Sequence, residues 1–469
     1  MSEDFWELIE EYRQLGFDPL RWIPTCSNEI DTYLFQASLK NIKRSNIKIT
    51  PNWFDAFPYA EGKDIELTRR IYSFDNPEIE KEVEIKRALS IFRIHVNTGE
   101  NSTLLTEAIQ RFMKSFHSKV LVKKVTTSLT AYAEAQFALL DYIELHRGDK
   151  VGYISANNSV THITDPTHSP DSEIHSNIAL TAAMEYLNLL GCTSGFKLFP
   201  VYDAPNEKIL DKIRENLDGF TSRYNLAMED YSSLKVGKLF FGATAIANTL
   251  KELPIRYDQS EEGMQIIISN KLGSMTAASL YMLTKMDHNN ITKFEQNDIG
   301  LDGLSAAKDE AMKRLTEPHF ALGKIISKYC PDFETEFDKH THITAVHPVS
   351  TDGIFAVGRL AELTNSHIVI NELPMKNEEI AKFATREFLI DNATVSTNGC
   401  HLIVATNDVA NSVLEELRRH NFEPTVMGFI AKKGEPIVTI EKEISKYVAS
   451  KAKLARLNSL VQAGSQQHK

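Results

Sequence analysis

Short apolar, β-branched runs alternate with amphipathic stretches through most of the chain beyond residue 116, and this alternation limits the possible folds more than any other feature. The predicted strands are GFKLFPVY (195–202), KLFFGATAIA (238–247), MQIIISNKLG (264–273), SHIVINELP (366–374), HLIVA (401–405) and two within FEPTVMGFIAKKGEPIVTI (422–440). The predicted helices are 177–190, 206–225, 407–421 and the end of HITAVHPVSTDGIFAVGRLAELT (342–364), which is interpreted as strand, loop and helix. Strands and helices in this mixture indicate an α/β (α+β) protein. A boundary at 253–263 divides it into two halves.

Three local signals add to this pattern. HRGDK (146–150) supplies turn residues between an apolar run (119–145) and VGYISANNSV (151–160), which predicts a hairpin. Gly191 follows a predicted helix and is expected to be its C-cap. Residues 2–14 have helical spacing, which predicts an amphipathic helix. Its apolar face consists of Phe5, Leu8, Ile9 and Tyr12.

Charge limits the classes of partner. The chain of 469 residues is long enough for two or three domains. Lys and Arg total 52 against 63 Asp and Glu, so the formal charge is -11. An acidic balance argues against general binding of nucleic acid or of an anionic membrane, although a locally basic site is compatible with it.

Cysteine usage and hydropathy predict a cytoplasmic protein. Cys26, Cys192, Cys330 and Cys400 are far apart and form no CxxC pair, which favours a reducing compartment. The N-terminal stretch MSEDFWELIEEYRQLGF is acidic and has no apolar signal core. No run approaches the ~18 apolar residues of a membrane span.

The common catalytic signatures are missing. The sequence has no GxxxxGKS/T, GxGxxG, GxSxG or HExxH. The candidate functional residues therefore lie in clusters of polar side chains.

The densest cluster is THITDPTHSPDSEIHSN (161–177). It contains His162, Asp165, His168, Asp171, Glu173 and His175. Pro166 and Pro170 exclude a regular helix, so a zinc-type ligand geometry does not follow from the spacing. A carboxylate leaving a strand end can hold Mg²⁺, and Asp165 is the candidate. In the alternative interpretation, Asp171 or Ser172 caps the following helix and the three histidines are merely exposed.

Two other features are chemically ambiguous. In KHTHITAVHPVSTDG (339–353), alternation predicts His340 and His342 on one face of a strand, with His347 and Asp352 near its end. Histidines on strands are usually surface or core residues.

Cys26 stands just before a predicted helix, where the helix dipole would lower its pKa. It is either a reactive thiol or a structural cysteine.

The order of several segments resembles a known family. The clearest segments are EEGMQIIISNKLG (261–273), THITAVHPVSTDGIFAVGRLAEL (341–363), SHIVINELP (366–374), STNGCHLIVATNDVANSVLEEL (396–417) and PTVMGFIAKKGEPIVTI (424–440). In the first half, ITDPTHSPDSEIHSNIALTAAMEYLNLLGCT (163–193) and SRYNLAMEDYSSLKVGKLFFGATAIA (222–247) are similar more loosely. Together they resemble the selenophosphate synthetase (selenide, water dikinase) branch of the PurM/AIR-synthase-like superfamily.

The resemblance implies a two-domain architecture. It comprises an N-terminal sheet that forms a dimeric barrel and a C-terminal α/β sandwich, in a homodimer. The implied division is an N-terminal helical segment with Cys26 (1–44), a helical insertion of unknown role (45–115), a nucleotide-side domain (116–255), a C-terminal domain (256–450) and a flexible tail (451–469). The insertion is a candidate surface for a protein partner.

The resemblance also implies chemistry. That family transfers the γ-phosphoryl group of ATP to selenide with Mg²⁺ held by aspartates, so the implied cofactors are ATP and Mg²⁺. The implied metal ligands are Asp141, Asp165, Glu185 and Asp352. The implied cofactor-binding residues are Asn158, Asp165 and Asp352, and Cys26 is the implied catalytic residue.

Several family positions are changed in this chain. Tyr186 and Ser350 stand where the family has metal aspartates, and Ser27 stands where it has a catalytic lysine. Glu229 and Asp230 replace phosphate-cradling glycines and would repel a triphosphate.

These changes leave three hypotheses open. The first is an ATP- and Mg²⁺-dependent phosphoryl transferase acting on a small sulfur or selenium substrate. The second is a catalytically degenerate member that serves as a binding, regulatory or structural subunit. The third is a metalloenzyme built from the two histidine-rich stretches.

Overall fold

The computed structural model of the protein describes residues 2–17, 19, 141–147, 150–161, 165–230, 237–249, 251–332, 335–349, 353–387, 389–390 and 392–448. The predicted insertion (45–115), the predicted tail (451–469), Cys26 and Asp352 lie outside these residues. Strands at 141–147 and 150–161 are described as backbone. None of the helices in the described ranges is both long enough and apolar enough to span a membrane.

The described part of the chain is mixed α/β with two sheets, as the alternating pattern predicts. Its helices are α1 (Ser2–Gln14), α2 (Glu173–Leu189), α3 (Glu207–Tyr224), α4 (Thr276–Met286), α5 (Asn289–Glu295), α6 (Leu301–Thr316), α7 (Phe320–Lys328), α8 (Ala356–Thr364), α9 (Glu378–Arg386) and α10 (Asn407–Arg419). Its strands are β1 (Asp141–Arg147), β2 (Lys150–Thr161), β3 (Ser194–Asp203), β4 (Ala227–Met228), β5 (Phe240–Thr249), β6 (Gln265–Ile268), β7 (Ala345–Pro348), β8 (Ser366–Ile370), β9 (His401–Ala405), β10 (Thr425–Lys433) and β11 (Val438–Ile440).

The first sheet has the strand order β1-β2-β5-β3-β4. Its pairs are antiparallel except for β3 and β4, which run parallel. Asp141 pairs with Ala156 and Arg147 with Lys150, so the hairpin predicted around HRGDK forms. Helix α2 packs against β2 and β5 and closes one face of this sheet.

The second sheet has the strand order β11-β8-β10-β6-β9-β7. The run QIII forms the central strand β6, and its three isoleucines are fully buried. The two strands predicted within 422–440 both form. However, β11 pairs in parallel with β8 instead of folding back on β10. Gly428 lies on β10 close to Val369 of the neighbouring strand β8, and a Cβ atom there would overlap the carbonyl oxygen of Val369.

Helix α2 connects the two halves of the molecule. Ser172, one of the two predicted caps, accepts a hydrogen bond from the Ile174 N–H group. The C-cap residue is Leu190, one position before the predicted Gly191. Gly191 follows it with φ +77°, and the Cys192 N–H group donates to the Leu187 carbonyl (3.0 Å). Every residue from His175 to Leu189 is buried, so the helix is enclosed on all sides.

The N-terminal helix α1 packs on the second half of the chain. Phe5, Trp6 and Ile9 are buried in one apolar cluster with Phe294 and Phe383. The Trp6 indole N–H donates to the Met286 carbonyl (3.4 Å). The predicted apolar face is confirmed at Phe5, Ile9 and Tyr12, whereas Leu8 is only partly buried. The sequence pattern does not identify helices α4 to α7. Helices α4 to α6 contribute to the same cluster as α1, whereas α7 packs on α2 and α10.

The prediction of a strand carrying His340 and His342 is wrong. The strand β7 begins only at Ala345. The Asp338 carbonyl accepts from the His342 N–H (2.9 Å), and the Asp338 carboxylate accepts from the His340 N–H (2.9 Å). This local hydrogen bonding makes a turn and outweighs the alternation of the sequence. His347 lies within β7 and is buried.

Candidate functional site

Asp165, the residue that the sequence singles out most strongly, lies in a compact network before α2. Its side chain is 5% exposed, and the side chain of Lys308 on α6 is 9% exposed. The Lys308 ammonium lies 3.2 Å from Asp165 Oδ2, and His168 Nε2 lies 3.4 Å from the same oxygen. Thr167 donates its N–H (3.2 Å) and its hydroxyl (2.5 Å) to Oδ1. Both carboxylate oxygens are therefore already engaged by neighbouring groups.

These interactions keep Asp165 ionised. Burial alone would raise the pKa of the Asp165 carboxyl. The hydrogen bond with His168, the attraction of Lys308 and the hydrogen bond from Thr167 outweigh burial and hold the pKa below its usual value. The carboxylate and the ammonium thus form a buried ion pair, which is stable only while both members are present.

The sequence does not predict the role of Lys308. This lysine follows Asp165 by 143 positions in the chain and lies in a helix that the apolar pattern does not identify. Its ammonium also contacts the Asp309 carboxylate (2.9 Å) and lies 5.0 Å from the centre of the Tyr281 ring. A positive charge held by two carboxylates and an aromatic face is well fixed.

The prediction that the three histidines of this stretch are exposed is wrong for His175. It is fully buried, whereas the His168 side chain is 42% exposed; His162 lies outside the described residues. The Tyr12 hydroxyl donates to the His168 carbonyl (2.7 Å) and lies 2.7 Å from His175 Nε2. The same nitrogen is 3.1 Å from the Ser169 carbonyl. Burial lowers the pKa of His175 to about 4, so its imidazole is neutral at physiological pH.

Glu185, the second described residue of the predicted metal set, lies in a separate cluster near the end of α2. His401 Nε2 on β9 lies 2.7 Å from Glu185 Oε1, and His319 Nδ1 lies 3.0 Å from Oε2. The Gly399 N–H also donates to Oε1. Gly399 has φ +78°, and a Cβ atom there would lie 2.9 Å from His319 Nε2, so the loop approaches the imidazole closely.

Glu185, like Asp165, has a pKa that is lowered despite burial. Burial alone would raise the pKa of the Glu185 carboxyl. Attraction to His319 and His401, together with hydrogen bonds from both, lowers the pKa below its usual value. This carboxylate joins α2 to β9 and to the start of α7.

The structure does not bring the two carboxylates together. Asp165 contacts Thr167 and His168 in the loop before α2, which His175 anchors through the Ser169 carbonyl. Glu185 follows His175 by ten positions, a rise of ~15 Å along the helix axis. The two carboxylates share no hydrogen-bond partner. Within the described ranges, no group of three His, Cys, Asp or Glu side chains could hold a metal ion.

The acidic pair Glu229 and Asp230 also has partners within the first sheet. Lys197 forms an ion pair with Glu229, and the Tyr202 hydroxyl donates to Asp230. Both partners lie on β3, next to the short strand β4. These acids are thus matched by neighbouring groups, which offsets part of the repulsion that the sequence predicts for a triphosphate.

The remaining predicted residues are only partly described. Asp141 begins β1, and Asn158 lies on β2 opposite Thr244. Cys26 and Asp352 lie outside the described residues, as do Ser27 and Ser350. Their assignments remain predictions.

The other three cysteines are buried free thiols. They are Cys192, Cys330 and Cys400. Burial raises the pKa of Cys330 and of Cys400 to about 12, so neither forms a reactive thiolate at neutral pH.

Across the described ranges, fold and site together define a mixed α/β arrangement with two sheets and two buried carboxylate centres. No protein-family model and no curated protein matches the sequence. Solved structures to which the chain is similar include thiamine-monophosphate kinase from Stenotrophomonas maltophilia, at 16% identity and TM-score 0.43, covering 64% of this chain and 92% of that one. Thiamine monophosphate kinase from Aquifex aeolicus is similar at 14% identity and TM-score 0.46, covering 71% and 96%. Hydrogenase maturation protein HypE in complex with ATP is similar at 14% identity and TM-score 0.44, covering 64% and 85%. At these values, no activity or ligand of those proteins transfers to this chain.

Proposed function

We propose that this chain is a catalytically degenerate relative of the selenophosphate synthetases and serves as a binding subunit. The observation that carries the proposal is the state of the two described carboxylates of the predicted metal set. Asp165 is paired with the buried ammonium of Lys308, and Glu185 is held between His319 and His401. Both carboxylates are occupied by groups of the protein itself.

The donor set around Asp165 does not fit Mg²⁺. This ion needs near-octahedral oxygen ligands and keeps several waters, so it requires open space beside a carboxylate. Thr167, His168 and Lys308 occupy the positions around both Asp165 oxygens. An entering cation would displace the Lys308 ammonium and leave it buried beside a second positive charge. Breaking such a pair costs several kcal/mol.

The donor set around Glu185 fits Mg²⁺ no better. Two of its three hydrogen-bond partners are imidazole nitrogens, and His401 is fully buried. Imidazole is not the ligand type that Mg²⁺ prefers. Tyr186 beside it carries no charge in place of the family's aspartate. Removing one group that stabilises the charge of a transferring phosphoryl costs ~3 kcal/mol, or ~100-fold in rate.

Turnover measurements test this proposal. Purified protein is incubated with ATP, with and without Mg²⁺, and phosphate release is followed for wild type and for Asp165→Asn. We expect no Mg²⁺-dependent release above the protein-free rate in either sample. Mg²⁺-dependent release that disappears in Asp165→Asn, with circular dichroism unchanged, would overturn the proposal and establish the active phosphoryl transferase instead.

Binding measurements test its positive part. Since the sequence resemblance makes a nucleotide the candidate ligand, calorimetry with ATP should show saturable binding that does not require Mg²⁺. The proposed homodimer, and a protein partner bound through residues 45–115, extend the same proposal. For the homodimer, light scattering on the full chain should give twice the monomer mass.

A further inference from the structure

A cleft in the second half of the molecule gathers basic side chains from three separate segments. Lys271 follows β6, Arg314 lies on α6 and Lys376 precedes α9. The Lys376 ammonium contacts Glu423 (2.9 Å) and Glu310 (3.0 Å). The Arg314 guanidinium contacts the same two acids at 3.1 and 3.2 Å. Lys271 lies 3.7 Å from Glu423.

Two helix N-termini border the same cleft. Ser274 lies in its wall just before α4, and Asn377 lies in its wall as the N-cap of α9. Neither helix has a side-chain hydrogen bond at its N-cap. The N-terminus of a helix carries about half a positive charge, which favours an anion nearby.

The charges of the cleft suit a dianion. Three basic side chains face two carboxylates, which leaves one net positive charge. The two helix ends raise this to about two positive charges. A phosphate monoester carries close to two negative charges at neutral pH. The surplus is local, because the whole chain has a formal charge of -11.

Glu423 occupies the position that a ligand would take. Its carboxylate contacts all three basic side chains, and its backbone N–H is fixed by Asn270 Oδ1 (3.0 Å), so only its side chain has to turn away. The side chains of Arg314 and Lys376 are each 21% exposed, which strengthens their attraction to an anion relative to bulk water. Arginine and lysine together are the usual groups that recognise phosphate.

From this geometry we infer that the cleft binds the terminal phosphate group of a small ligand, in competition with the Glu423 carboxylate. The site shares no residue with the Asp165 or Glu185 centres. The inference does not depend on the loss of phosphoryl transfer, because anion binding and ATP turnover are measured separately.

The test is calorimetry of the full chain with inorganic phosphate and pyrophosphate, against acetate at equal ionic strength. We expect saturable binding of the phosphates and none of acetate. Lys376→Met should weaken phosphate binding about tenfold, and the more exposed Lys271→Met about threefold, since each removes a charge–dianion interaction. The matched control is Lys324→Met, an exposed lysine of α7 outside the cleft, which should leave affinity unchanged.

The variant Glu423→Gln distinguishes a phosphate-binding role of this network from a purely structural one. Removal of the competing carboxylate should tighten phosphate binding several-fold. If the network only holds the fold together, this variant would lose thermal stability and leave phosphate affinity unchanged, which would overturn the inference. Equal binding of acetate and phosphate, or equal effects of Lys376→Met and Lys324→Met, would overturn it as well.

Discussion

A buried carboxylate lies near each end of α2, and the two carboxylates are stabilised by different kinds of side chain. At the start of the helix, Asp165 is buried against Lys308, a cation that stays charged at all physiological pH values. At the end, Glu185 is buried against the imidazoles of His319 and His401, which contact both of its oxygens. Both carboxylates stay ionised, but only the first is paired with an ammonium group. A buried acid among polar residues is thus as well explained by partners within the protein as by a bound metal.

Removal of the permanent cation should have the largest effect. Lys308→Met leaves Asp165 buried without its ammonium, so we expect a loss of ~3 to 5 kcal/mol in the free energy of unfolding. Urea denaturation measures it. Adding Asp165→Asn to the same chain should restore much of the loss, because no uncompensated charge then remains. A loss below ~1 kcal/mol in Lys308→Met would show that the pair is not a stability determinant.

The pH dependence of stability should report on His175. Its folded pKa of about 4 lies below the ordinary value of 6.5, so the unfolded state binds more protons between these values. Stability should therefore fall by ~3 kcal/mol as the pH drops from 6.5 to 4. Denaturation of His175→Gln at several pH values should show a slope smaller by up to ~1.4 kcal/mol per pH unit than wild type. Identical slopes would contradict the assignment.

The Glu185 centre should respond more mildly to loss of its charge. Glu185→Gln keeps the shape of the side chain but cannot accept from all three donors at once, so we expect a decrease of ~2 kcal/mol in the free energy of unfolding. Thermal or urea unfolding measures it. An effect as large as that of Lys308→Met would show that the two ends of α2 do not differ as described above.

Deletion of one hydroxyl should have the smallest effect. Tyr12→Phe removes the hydrogen bond to the His168 carbonyl and the interaction with His175, while the ring stays packed. A decrease of ~1 kcal/mol in the free energy of unfolding is expected from urea denaturation. No change at all would mean that the loop is held by Asp165 alone.

Local signals predict most strands between 195 and 440, but they miss helices α4 to α7. Apolar runs and helical spacing identify elements such as β6, β8 and α10, because each is formed by neighbours in the chain. Where two local signals compete, alternation can mislead: the Asp338 turn prevails over it at His340 and His342. The polar neighbours of His175 favour an exposed side chain, yet α2 is enclosed on every side.

The site is less predictable because it is built from distant segments. Asp165 stands out in the sequence as an acid between a predicted strand and two prolines. Its counter-charge Lys308 follows 143 positions later, and the histidines around Glu185 follow by 134 and 216 positions. No local pattern relates residues so far apart. The sequence can therefore suggest which carboxylates matter, but not what neutralises them.

Gly428 has a consequence for how such a chain can diverge. Any side chain at position 428 would collide with the carbonyl oxygen of Val369, so β10 and β8 can pair here only if residue 428 is glycine. The acids at 229 and 230 are held in a different way, by the side chains of Lys197 and Tyr202. A position that shapes the backbone is therefore more tightly constrained than one at which a change of side chain can be matched by a change of its partner.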